Sequence, residues 1–247
     1  MVAALKNIKG FTLLELLITI VLLALTSIAM YEAYMGQRKI HQANEEMAAM
    51  QQNLRAAMYY LENDIKKAGL DPLRVSGGGA GAGIVVADVS TIQFTLDITG
   101  GENDGIDNNY NNLIDDATEW YDGSTDDAGE NITYLLYDSG ADGDLDLGRR
   151  VGAGTNQPVA DNIDAFDIVY LDSNGTVLGP TPLTAAQMRN VKSFQITLVV
   201  RAERPDPDYT NSDSYFNRQG TLIFTAPNDN FRRISMTTDL MGRNLGL

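Results

Sequence analysis

The sequence KGFTLLELLITIVLLAL occupies residues 9–25, and the organisation of the rest of the chain follows from it. From Phe11 it belongs to an apolar run that continues to about Met30. At 1.5 Å per residue, a helix of roughly 20 residues crosses the ~30 Å hydrocarbon core of a bilayer. Glu15 lies near the start of this run, where a charge is costly. The sequence therefore predicts a membrane helix in which Glu15 has a functional role and a partner.

The residues around the start of the apolar run form a pattern of their own. A short basic leader ends at Gly10, and Phe11, Thr12 and then Glu15 follow. This arrangement resembles the N-terminal signal of type IV prepilins and of type II secretion pseudopilins. The resemblance implies cleavage after Gly10 by prepilin peptidase and methylation of Phe11. It also implies an assembly role for Thr12 and Glu15, with Glu15 pairing with the Phe11 amine of a neighbouring subunit. An ordinary signal peptide, in contrast, is cleaved after its apolar segment.

The apolar helix is predicted to continue into a globular head. Apolar residues recur at spacings of three and four from Ile40 to Ala68, which indicates an amphipathic helix, and Gly69 and Pro72 then mark its end. Segments after this point, among them 91–98, 132–137 and 193–198, predict strands, so the fold class is α+β, with an antiparallel sheet laid on the long helix. The predicted parts are a leader (1–10), a membrane or filament-core helix (11–34), an amphipathic helix (35–69) and a β-rich head (70–247) with acidic loops (99–130 and 138–148).

Two further segments resemble one family within the pilins. The helix end, Leu61 to Leu70, is similar to the L-x-x-D-I-R-x-A-G-Y ending of PilW-type minor pilins, with Lys66 in place of Arg and Leu70 in place of Tyr. The segment 231–244 is similar to the closing strand of the same proteins. The resemblance implies a pilin-like fold. The pseudopilin GspJ of type II secretion shares the general layout and remains an alternative.

The composition excludes several classes of function. The net charge is −15, so the surface repels a phosphate backbone, and nucleic acid is not expected as a partner. The chain has no cysteine, hence neither a disulfide nor a thiol nucleophile. The single histidine, His41, falls on the predicted exposed side of the helix, and no serine-hydrolase motif is present. We therefore do not expect an enzyme.

An acidic, Asn-rich insertion between two strands is similar to calcium loops. With Asp107 at position one, oxygen ligands recur at alternate positions, the carbonyl of Leu113 is at position seven, and Asn112 replaces the usual Gly at position six. Asn tolerates the left-handed conformation that this turn requires. Thr118 is at position twelve, where the bidentate Glu is missing, so a solvated loop remains the alternative. The predicted ligands of Ca²⁺ are Asp107, Asn109, Asn111, Leu113 and Asp115.

A second acidic cluster follows at residues 138–146. Its carboxylates alternate along the chain, but Gly140 occupies a ligand position, so the pattern fits a calcium loop less well. It predicts either a second site or a solvated turn. The candidate ligands are Asp142, Asp144 and Asp146.

These features together favour a minor pilin that acts in type IV pilus assembly, in a priming or tip complex. The expected partners are other minor and major pilins, prepilin peptidase, inner-membrane lipid before assembly, and the pilus assembly platform. We expect a single pass of the inner membrane with a periplasmic head, followed by the pilus or cell surface. One alternative is a GspJ-like type II secretion pseudopilin. Another, of a different class, is a calcium-dependent adhesion module at a pilus tip.

Overall fold

The computed structural model describes residues 10–71, 82–98, 107, 112–114, 125, 129–225 and 227–245. The leader before Gly10 and most of the first acidic loop lie outside these residues. Among the described residues the long helix comes first and short strands follow it, as the sequence predicts. The elements are α1 (Leu13–Ile65), β1 (Ile84–Ala87), β2 (Thr91–Thr95), β3 (Asn131–Tyr137), β4 (Asp146–Val151), β5 (Gln157–Ala160), β6 (Ile163–Leu171), β7 (Val177–Leu178), α2 (Ala185–Met188), β8 (Ser193–Arg201), β9 (Tyr215–Phe216), β10 (Leu222–Phe224) and β11 (Arg233–Met241).

The strands form two main antiparallel sheets and a small hairpin. The first sheet has the order β1-β2-β3-β4-β5, the second has the order β11-β8-β6-β7, and β9 pairs only with β10. The fold class is confirmed as α+β, but the prediction of one sheet was too simple. The sequence marked neither β4 nor β5 as a strand because Gly148 and two arginines interrupt the apolar alternation of β4 and Pro158 lies within β5.

The helix begins and ends close to the predicted residues. α1 starts at Leu13, two residues after Phe11, and a turn covers residues 66–69 beyond its last residue. Gly69 has φ +75°, a conformation that glycine adopts without strain, so its predicted role at the helix end is confirmed. A Cβ at this position would also lie 3.0 Å from the Leu245 side chain and 3.2 Å from the Asn244 carbonyl oxygen.

The chain divides into two units, Met1–Glu45 and Glu46–Leu247. In the first unit the described apolar side chains are largely exposed, and Ile40, the first residue of the predicted stripe, is 65% exposed. In the second unit the stripe is confirmed from Met50 onward: Met50, Leu54, Ala57, Leu61 and Ile65 are buried. Within this unit the helix packs on the core through its residues from Met50 to Ile65.

One hydrophobic core joins the head half of α1 to both main sheets. Leu61 and Ile65 of the helix, Phe94 and Tyr134 of the first sheet and Phe194 of the second are all fully buried. Burial of apolar surface stabilises a fold by about 25 cal/mol per Å². In a chain without disulfides, this burial is the main source of stability.

A buried polar cluster fixes the last turn of α1 on the first sheet. One oxygen, Oδ2 of Asp64, accepts a hydrogen bond from the Tyr134 hydroxyl at 2.7 Å and from Nε of Arg149 at 2.6 Å. A carboxylate is unfavourable at a helix C-terminus, where the helix dipole is negative, so Arg149 supplies the compensating charge. Burial, and then the charge of Asp64, raise the pKa of Tyr134 well above its usual range. The hydroxyl therefore stays protonated and donates.

Candidate functional site

The residues of the processing signal form a structured start to α1. The Thr12 N–H and hydroxyl donate to Oε2 of Glu15 at 2.8 and 3.0 Å, and the Glu15 N–H donates to Oγ1 of Thr12 at 3.2 Å. This reciprocal arrangement is a capping box, which satisfies backbone donors at a helix start. Phe11 lies outside it and is 93% exposed. Within the chain, therefore, the Glu15 carboxylate accepts its hydrogen bonds from Thr12, and the Phe11 side chain is left exposed.

The surface that follows is apolar on every side. Leu13, Leu14, Leu22 and Leu23 are all exposed and point to four different sides of the helix, which together cover its circumference. Hydroxyl groups within this segment are satisfied locally, since Thr19 donates to the Glu15 carbonyl oxygen at 2.7 Å and Ser27 to that of Leu23 at 2.7 Å. Among the described helices, α1 is the one long and apolar enough to cross a membrane. A helix that is apolar all round requires lipid or other apolar helices as its environment.

The first acidic loop is described only at some of its predicted ligands. Asp107 and Leu113 are described, whereas Asn109, Asn111 and Asp115 lie outside the described residues. Asn112 has φ +69°, the left-handed conformation expected at position six, and its N–H donates to Oδ2 of Asp107 at 2.7 Å. Asn112 thus has the backbone conformation expected at position six of a calcium loop, while calcium itself stays a prediction.

The second acidic cluster is closed by protein groups. Asp144 forms an ion pair with Arg201 at 2.7 Å, and Asp146 accepts from the backbone N–H groups of Ser139 and Asn162 at 3.1 and 3.0 Å. Asp142 accepts from the Asp144 N–H at 3.2 Å. Because these carboxylates already have donors, the geometry favours a protein-closed turn, and we confine the calcium proposal below to the first loop.

Two buried carboxylates flank the first loop and were missed in the sequence. Asp97 and Glu130 are buried residues on adjacent antiparallel segments, where the Leu96 N–H donates to the Glu130 carbonyl oxygen at 2.9 Å. Glu130 also accepts the Ile98 N–H at its Oε1, at 2.7 Å. No local signal marked Asp97 as buried, because it falls on a polar position of the alternating segment 91–98. Asp97 follows β2 and Glu130 precedes β3, so the two residues lie at the two sequence ends of the first loop.

No catalytic arrangement is found among the described residues. His41 is exposed, as predicted, and its Nδ1 lies 3.2 Å from a carboxylate oxygen of Glu45 one helical turn away. No cluster of three metal-binding side chains of His, Cys, Asp or Glu occurs in the described part of the chain.

Comparisons with known proteins identify both ends of the chain. Residues 5–31 match the prokaryotic N-terminal methylation motif, and residues 133–244 match the type IV pilus-assembly protein W family. Among solved structures, a type IV-like pilin from Thermus thermophilus is similar, at 17% identity and a TM-score of 0.48, over 80% of this chain and 98% of that one. No curated protein matches the sequence. The match to the methylation motif includes the capping box, and the second match extends from within β3 to beyond the end of β11.

Proposed function

This chain is a PilW-like type IV minor pilin, and from that premise we propose that it acts in the complex that primes or caps the pilus. The observation that carries the proposal is the apolar helix surface beginning at the Thr12–Glu15 capping box. It provides a segment for the inner membrane before assembly and for a bundle of like helices afterwards. The head would then face the periplasm and later the cell exterior. Prepilin peptidase, the assembly platform and other pilins are the proposed partners.

The proposal is tested by deleting the gene and restoring it with the wild type, Gly10→Leu or Gly36→Ala. A Cβ at either glycine meets no atom within 4 Å, so neither change disturbs packing within the chain. We expect Gly10→Leu to retain its leader and restore no surface pili, because the residue before the cleavage point is altered. Gly36→Ala should be processed and restore pili. Pili are counted by electron microscopy and processing is followed by the mass of the chain.

The same strains separate the alternatives. If deletion leaves pili intact and abolishes protein secretion, the chain is a GspJ-like pseudopilin and the pilus proposal is wrong. If pili persist without the chain but adhesion is lost, it acts as a tip adhesin and takes no part in priming.

We propose further that the first acidic loop holds one Ca²⁺ ion, through Asp107 and the carbonyl of Leu113 together with Asn109, Asn111 and Asp115. What supports this is the Asp107–Asn112 turn and the buried carboxylates Asp97 and Glu130 beside the loop. The ion would neutralise the carboxylates that bind it and hold the loop, and no chemistry is required of it.

Native mass spectrometry and thermal unfolding of the full chain in detergent, with calcium or with EGTA, test this second proposal. For a dissociation constant of ~10⁻⁴ M, 1 mM calcium should stabilise the fold by about 1.4 kcal/mol. Asp107→Ala should lose the bound ion and the stabilisation, while Asp142→Asn, in the second acidic cluster, should keep both. Equal unfolding temperatures with calcium and with EGTA for the wild type would refute the proposal. If EGTA abolishes adhesion without affecting pilus number, the adhesin alternative gains direct support.

A further inference from the structure

The edge strands of the two main sheets differ in how well they are protected from pairing. β1 and β5 have four residues each, both contain a register shift, and β5 also contains Pro158. β7 has only two residues. Short strands, bulges and proline are the usual means by which proteins prevent strand addition at a sheet edge. β11 has none of these: it pairs with β8 over nine consecutive residues without a shift.

The register shows which backbone groups of β11 point away from β8. The Ala202 N–H donates to the Arg232 carbonyl oxygen, and the Gly242 N–H donates to that of Lys192, one just beyond each end of the pairing. Because hydrogen-bonded pairs alternate in an antiparallel ladder, the even-numbered residues of β11 bond to β8. The odd-numbered residues direct their N–H and C=O groups outward. The outward residues are Arg233, Ser235, Thr237, Asp239 and Met241.

The side chains along this edge leave it accessible and partly apolar. Ile234 and Leu240 lie on the face of β11 that packs on the core, and Met236, on the same face, is 39% exposed. Ser235 is exposed on the other face. A strand added beside β11 would continue the core-facing layer and cover Met236 with its own alternate apolar side chains.

The net charge of this chain indicates which protein supplies the strand added beside β11. The net charge of −15 makes close packing of two heads of this chain unfavourable, whereas a neutral or basic partner is attracted. We propose that β11 pairs with a β-strand from a different subunit of the pilus assembly, one with apolar residues at alternate positions and a neutral or basic surface. This inference rests on the proposed function and adds the contact through which the head takes part in it.

The test uses the full chain in the deletion strain, with a photo-crosslinking residue in place of Ser235 or, as a control, Ser173 in the turn between β6 and β7. We expect an adduct with a different pilus subunit at position 235 and none at 173.

Ser235→Pro removes one outward N–H and no bond to β8, and Ser235→Ala is its matched control. With the crosslinking residue moved to exposed Met241 on the same strand, Ser235→Pro should lower the adduct yield about tenfold, equivalent to ~1.4 kcal/mol. Ser235→Ala should leave the yield unchanged.

A second variant keeps the proposal falsifiable if Ser235→Pro reaches the membrane at a reduced level. Met236→Lys leaves the backbone unchanged and places a charge where the partner strand would pack, so it should also lower the yield at Met241. An adduct between two copies of this chain, no adduct at position 235, or wild-type yields with both Ser235→Pro and Met236→Lys would each overturn the inference. The proposed function is judged separately by pilus number in the deletion strain: if deletion abolishes pili and both variants restore them without a 235 adduct, only the strand pairing is wrong.

Discussion

Glu15→Gln is expected to insert in the membrane and to be processed as the wild type is, yet to restore no surface pili to a deletion strain. The amide oxygen of Gln can still accept from the Thr12 N–H and hydroxyl, so the capping box is preserved. What the variant loses is the negative charge. In a bundle of apolar helices, a charge pair is much stronger than in water. A neutral amide would therefore not replace the carboxylate in the predicted pairing with the amine of a neighbouring Phe11.

Thr12→Ala is the matched control, since it removes the capping hydroxyl and keeps the carboxylate. Loss of such a cap costs about 0.5–2 kcal/mol of helix stability. We expect fewer pili from this variant but not their absence. Pili are counted by electron microscopy, and the membrane level of each processed chain by immunoblot. If Glu15→Gln restores pili as well as the wild type does, Glu15 acts only as a helix cap and the charge-pairing role is wrong.

Asp64→Ala is expected to destabilise the head by about 3 kcal/mol, the largest effect of any single change in it that we consider. It leaves the partly buried Arg149 without its carboxylate and the buried Tyr134 hydroxyl without its acceptor. Breaking a buried ion pair by removing one partner commonly costs 3–5 kcal/mol, and the partial exposure of Arg149 places this case at the lower end.

Urea unfolding of the full chain in detergent, followed by circular dichroism, measures this loss. Tyr134→Phe is the control, because it removes one hydrogen bond to Asp64 and leaves the ion pair in place. It should cost less, about 1.5 kcal/mol. An Asp64→Ala variant no less stable than Tyr134→Phe would show that Arg149 does not depend on Asp64, and that apolar packing alone holds the last turn of α1.

The sequence predicted best the features that depend on short-range patterns. The start of α1, the helix-ending role of Gly69 and the strands at residues 132–137 and 193–198 follow from capping, backbone conformation and alternation. The family resemblance was likewise carried by contiguous residues, and the comparisons confirm it at both ends of the chain. Asn112 belongs with these, since its left-handed conformation follows from its place in the loop.

Features that depend on residues far apart could not be predicted from the sequence. The partners of Asp64 come 70 and 85 residues later, so nothing beside it marks it as a buried ion-pair residue. Arg201 is likewise 57 residues from Asp144, and this ion pair makes the second acidic cluster look less like a calcium site than its sequence does. The division of the strands into two sheets is set by β6 pairing with β8 across α2, which leaves no trace in local alternation.

The contacts between the C-terminal residues and the end of α1 affect how the chain folds as it is synthesised. The Asn244 side chain donates to the Lys66 carbonyl oxygen across 178 residues, and Leu245 packs against Gly69. During synthesis, the apolar stripe from Met50 to Ile65 emerges long before the strands that cover it. Contacts between residues so far apart in the sequence form slowly, and an exposed apolar surface favours aggregation and proteolysis. In a chain anchored by its first helix, the unfinished head stays beside the bilayer while it folds. Because it can then move only along the membrane, it is kept apart from soluble partners.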